Sequence, residues 1–162
     1  MSNYSTVISD SQILEIAKVK KAHYTLILGC NGCMNESLAL INRKPLMNYK
    51  KEIPYEPIFD ECSRICCLLK ENGVDATFEV IGWAANRFCI RDSAFEDFGI
   101  SSMDIPDLVM VLSCPAGIWG IKECLSGMDV VGITKYEGVF SFTYKDDSVT
   151  KEIVDSEMVL FK

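Results

Sequence analysis

Residues 24–28 form a short, continuously apolar run that stops at Gly29-Cys30-Asn31-Gly32-Cys33, and residues 107–112 form a second that stops at Ser113-Cys114-Pro115-Ala116-Gly117. Runs this short and this apolar suit strands buried on both faces, as in parallel sheets. If the two lie in one sheet, their carboxyl ends bring Cys30, Cys33 and Cys114 to one edge, where open α/β sheets keep their ligands.

The rest of the chain supplies helices to alternate with these strands. Residues 10–21 place Ile13, Leu14, Ile16, Ala17 and Val19 near helical spacing, with Asp10 or Ser11 as the cap. A short helix is expected from Cys33 through Ala39, then an irregular, proline-containing stretch over 42–57 that reads as a functional loop or lid. Over 58–72, Ile58, Cys62, Ile65 and Leu69 make an apolar stripe that Gly73 terminates. Residues 77–81 read as a strand, 83–98 as a broken helix, and 115–125 as a helix opened by Pro115. A short strand is expected at 130–133. Residues 139–144 and 149–154 alternate around Lys145-Asp146-Asp147 as a hairpin, with a last strand at 158–161.

Strands alternating with helices predict an α/β fold, flavodoxin-like or doubly wound, with a mostly parallel sheet and the C-terminal antiparallel hairpin added at its edge. With 162 residues, 49% of them hydrophobic, and no break in composition, residues 1–162 read as a single cysteine-rich domain. No internal repeat or low-complexity segment interrupts it.

A formal net charge of -7 and scattered basic residues argue against a nucleic-acid partner. The polar residues 1–10 lack the order of a signal peptide and no stretch has the length of a membrane span, so a soluble, cytoplasmic protein is expected. In that compartment the 8 cysteines read as reduced thiols, metal ligands or small core residues. His23 is the single histidine, and it precedes a strand at the amino edge, so a metal site must draw mainly on thiolates.

Cys30 and Cys33 have the two-residue spacing that brings both sulfurs to one metal or cluster, and the intervening Asn31-Gly32 tolerates the turn. The same spacing occurs in redox dithiols. Cys114 is the candidate third ligand. As the cap of the helix opened by Pro115, it is also expected to ionise readily. Cys89 is the candidate fourth, provided that 82–86 forms a loop or a single turn. Cys62, Cys66, Cys67 and Cys124 read as structural. Trp83 and Trp119 follow strand ends and are candidates for walling a flat cofactor, with core packing as the alternative. Neither a dinucleotide fingerprint, nor a phosphate loop, nor a nucleophile elbow is present.

The element Leu28-Gly29-Cys30-Asn31-Gly32-Cys33 resembles the opening GCGxC element of the cysteine-rich C-terminal domain, or small subunit, of methylenetetrahydrofolate reductases from acetogens and related anaerobes. The stretch from Asp107 through Cys114-Pro115-Ala116-Gly117 to Trp119-Gly120 resembles that family's strand followed by Cys-Gly-x-Gly, and the likeness spans residues 24–133. The resemblance implies a cytoplasmic accessory module that binds an iron–sulfur cluster, 4Fe–4S by preference, or zinc. Its partner would be a flavin-containing reductase or a corrinoid methyltransferase subunit. Cys30, Cys33 and Cys114 match the family's pattern and Cys89 matches loosely. No cysteine follows Cys124, which departs from the family's cysteine-rich tail.

Three functions therefore stand in competition. The first is a metal or cluster accessory subunit, more a component of an oxidoreductase than an independent enzyme. The second is a stand-alone thiol redox enzyme using Cys30 and Cys33, or Cys114. The third is a small-ligand module closed by the 42–57 loop. Self-association as a homo-oligomer is left open by the sequence.

Overall fold

The computed structural model describes residues 1–81 and 105–160. Its strands are β1 (Ser2–Val7), β2 (Tyr24–Cys30), β3 (Met47–Asn48), β4 (Asp75–Ile81), β5 (Leu108–Leu112), β6 (Val130–Gly132), β7 (Thr134–Asp146) and β8 (Thr150–Leu160). Its helices are α1 (Asp10–Val19), α2 (Cys33–Asn42), α3 (Glu56–Glu71) and α4 (Pro115–Cys124).

The strands divide between two sheets. Four parallel strands in the order β4-β2-β5-β6 form one, and four antiparallel strands in the order β1-β7-β8-β3 form the other. This overturns the expected doubly wound sheet with a hairpin at its edge. The hairpin does not join the parallel sheet, because β7 recruits β1 on one side and β8 recruits β3 on the other. A single residue, Ile133, separates β6 from β7, and its amide donates to Val111 while its carbonyl accepts from Ile8. The chain thus leaves the parallel ladder at Ile133 and enters the antiparallel one without an intervening helix.

The parallel sheet is buried as its composition requires. Every residue of β5 is buried, as are Thr25 through Cys30 of β2. Residues in register on parallel strands face the same way, so Gly29 shares a face with Leu112, and Leu28 shares the other with Val111 and Gly132. A Cβ at Gly29 would meet Cys62 and Ile58, which places α3 on the first face. A Cβ at Gly132 would meet Ile118, which places α4 on the second. The connections from the adjacent strands β2 and β5 therefore run to opposite faces, the arrangement at which open α/β sheets form a ligand crevice at the carboxyl ends of the strands.

The stretch over 42–57 holds β3 and is anchored to the body. The Asn35 side chain, buried on α2, donates to the Leu46 carbonyl at 2.9 Å and accepts the Ile58 amide at 3.0 Å. Tyr55 gives α3 no side-chain cap, so Asn35 supplies from a neighbouring helix an acceptor that the first turn needs. Helix α1 is capped by Ser9, one residue before the expected position, in a reciprocal box with Gln12.

Candidate functional site

Cys33 is the first residue of α2 and Cys114 is the N-cap of α4. One follows β2 and the other follows β5, so both sit at the crevice between the two strands. Each thiol shifts the ionisation of the other, and both are free. Cys33 is half-buried, whereas Cys114 is only 8% exposed.

The two sulfurs have unequal surroundings. Cys114 is drawn well below the ordinary thiol range, to about 5, by its hydrogen bond with Cys33 and, against the cost of burial, by the Gly117 amide, the Asn3 side chain and the Ala116 amide. Amide donors at a helix N-terminus stabilise a thiolate because the orphan N–H groups carry the positive end of the helix dipole. Cys33 is pushed up, first by its bond to Cys114, then by burial, and further by the Glu36 carboxylate; the Asn3 amide opposes this. The directions of the two shifts favour the proton on Cys33 and the negative charge on Cys114.

The first strand completes the arrangement. Ser37, one turn beyond Cys33 on α2, donates to the Cys33 carbonyl at 2.8 Å and the Asn3 carbonyl at 3.3 Å, and accepts the Ser5 amide at 3.2 Å. Ser2 hydrogen-bonds the Glu36 carboxylate. Sequence reasoning missed Asn3, Ser37 and Glu36 altogether. Residues 2–7 are too polar to read as a strand, and a strand was the only signal that would have brought Asn3 to the cysteines.

Cys30 ends β2 with its side chain buried, and its sulfur accepts the Gly32 amide at 3.3 Å. In register it stands beside Ser113, the residue before Cys114, since Gly29 pairs with Leu112. Among the described residues no three or more histidine, cysteine, aspartate or glutamate side chains gather as a metal site. Cys89 and Trp83 lie outside the described residues. Trp119 is on α4 and 58% exposed.

Of the cysteines read as structural, Cys62 and Cys66 are buried. Cys62 is fully buried and burial pushes its thiol up to about 12. Cys66 donates to the Ala76 carbonyl at 3.1 Å. Cys67 is exposed and Cys124 half-buried. His23 is exposed at the amino edge, where its amide and that of Tyr24 donate to the Asp107 carboxylate at 2.8 and 3.0 Å. A cavity of about 370 Å³ opens at that same edge, beside Leu14, Lys18, Lys21 and His23, away from the thiol pair.

No family model, no curated protein and no solved structure matches the chain. No helix among the described residues is long and apolar enough to cross a membrane. The class that fold and site define is a two-sheet α/β protein with a polarised thiol pair at the crevice of its parallel sheet.

Proposed function

We propose that the chain is a dithiol–disulfide exchange protein working through Cys114 and Cys33. One observation carries this reading: two free thiols stand at the N-termini of the helices that follow adjacent parallel strands, and they shift each other's ionisation in opposite directions. The Cys114 thiolate attacks one sulfur of a substrate disulfide, forming a mixed disulfide and releasing the first thiol. Cys33 then attacks the Cys114 sulfur as its proton passes to the departing thiolate. This closes a Cys33–Cys114 disulfide and releases the second thiol, so the substrate disulfide is reduced by two electrons as the pair is oxidised. The low exposure of Cys114 suits a slim substrate, a small disulfide or one on an extended segment.

A second reading keeps the resemblance to the reductase accessory domain, with an iron–sulfur cluster or zinc bound for a flavin-containing or methyltransferase partner. What favours it is Cys30, in register at the same edge. One experiment separates the two: anaerobic purification, iron and zinc analysis, then oxidation with a small disulfide and peptide mapping. Metal-free protein that yields a Cys33–Cys114 disulfide supports the exchange reading. Stoichiometric metal, with no such disulfide until the metal is removed, supports the accessory reading and contradicts the first.

A further inference from the structure

We propose that the cavity at the amino edge of the parallel sheet is a second binding site, which takes a small amphipathic anion: an apolar body with a carboxylate or phosphate head. Such a site lies at the opposite edge from Cys33 and Cys114, so it stands apart from the exchange reading. Its volume of about 370 Å³ is in the range of small-molecule sites. It lies between the C-terminal end of α1 and the turn over 72–74 that leads from α3 into β4.

The lining divides by chemistry. Leu14, Ala17 and Val74 supply apolar surface continuous with the core, whereas Lys18, Lys21 and His23 are exposed and supply the polar side. Among the described residues no carboxylate lines the cavity, although the chain carries a formal net charge of -7. The acidic groups nearby are engaged elsewhere: Asp107 accepts the His23 and Tyr24 amides, and Asp129 pairs with Lys20. Among the described residues neither Lys18 nor Lys21 forms an ion pair. Two ammonium groups beside an apolar wall therefore lack a counter-charge, which an anionic head would supply.

The backbone gives an independent sign. Helix α1 ends in a Schellman motif, the Ala22 amide donating to the Ala17 carbonyl and the Lys21 amide to that of Lys18, both at 3.0 Å. Helix α3 ends in the same motif across the cavity, with Val74 donating to Leu69 and Gly73 to Lys70. The left-handed position is filled by Gly73 (φ +82°) in one and by Lys21 (φ +51°) in the other. Glycine is the usual residue there, because a side chain is disfavoured in that conformation. The turn does not call for a lysine at 21, whereas an anion in the cavity that Lys21 lines would.

The test is an NMR titration of the full chain with octyl phosphate, octanoate and uncharged octanol, following the Ala22 and Val74 amides. The anions are expected to shift both amides to saturation, the tighter of the two identifying the head, and octanol to bind about tenfold more weakly. Lys18→Gln combined with Lys21→Gly is expected to weaken anion binding about tenfold, as loss of two exposed charge contacts allows, and to leave octanol unaffected. Lys21→Gly alone, which removes the left-handed side chain, is expected to unfold at the wild-type temperature or up to about 4 °C higher. Octanol binding as tightly as the anions, shifts that miss Ala22 and Val74, or unchanged anion affinity in the double variant overturns the inference. A lowered unfolding temperature in Lys21→Gly would mean that the lysine serves the helix end, and overturns it too.

Discussion

At Gly29 the chain leaves no room for a side chain. A Cβ there would clash with the Cys62 sulfur and stand 3.0 Å from Ile58, in a region where both are fully buried. The glycine that precedes the cysteine turn is thus a packing requirement of α3 against β2, and Cys62 is the small residue that allows the approach. Gly29→Ala is expected to cost about 1–3 kcal/mol, the usual penalty of overpacking a filled core. Adding Cys62→Ala should recover part of that loss; thermal unfolding of the two variants checks it, and a neutral Gly29→Ala would mean that the contact is looser than described. The same residue scale explains the thiol pair. The spacing of Cys30 and Cys33 is legible in the sequence, but the pairing of Cys33 with Cys114 depends on where two helices begin.

Among the elements, β2, β5, α3 and α4 were legible because their burial is nearly complete or their stripe regular. In the antiparallel sheet the β7–β8 hairpin was legible from the alternation around Lys145-Asp146-Asp147, but β1, β3 and the full length of β8 were not. Residues 2–7 carry one buried position, Ser5, so no alternation marks β1. β8 reads as two pieces because Asp155, Ser156 and Glu157 interrupt the apolar residues, yet all three pair with β7, opposite Thr143, Phe142 and Ser141. Exposure makes that polarity harmless to a strand. The stretch at 42–57 looked like a lid because its prolines signal irregular backbone, while the side chain that anchors it, Asn35, belongs to α2. Asn35→Ala strands a buried carbonyl and a buried amide together. A loss of about 1–3 kcal/mol is expected for each group left unpaired. Denaturant unfolding should show a lower midpoint, with faster hydrogen exchange at Ile58; exchange unchanged at Ile58 would contradict the cap.

For the molecule as a whole, the antiparallel sheet has an outer edge to protect. Among the described residues, only Thr150 and Lys151 of β8 are paired on that side, with β3, and Val154, Met158 and Val159 are exposed nearby. Two devices discourage a second strand from adding there: acidic Glu152, Asp155 and Glu157, and the irregularity that leaves Val154 without a partner between Ile153 and Asp155. Replacing Glu152, Asp155 and Glu157 with threonine is expected to promote self-association. Light scattering would show a mass that rises with concentration above the wild type's, and a variant with the wild type's mass would mean that the edge is already covered.

The two sheets are joined beside Cys33, where Ser37 of α2 hydrogen-bonds both β1 and the Cys33 carbonyl. The account stands on Cys114 being the charged member. The direct measurement is the alkylation rate at each cysteine, read by mass spectrometry from pH 9 down to 5, beside a free thiol standard. Burial slows Cys114 at every pH alike, so the shape of the profile reports its charge. The account predicts a rate at Cys114 that stays level until the pH nears about 5, while the standard falls about tenfold per unit below its ordinary value. A Cys114 profile that falls in parallel with the standard would contradict it.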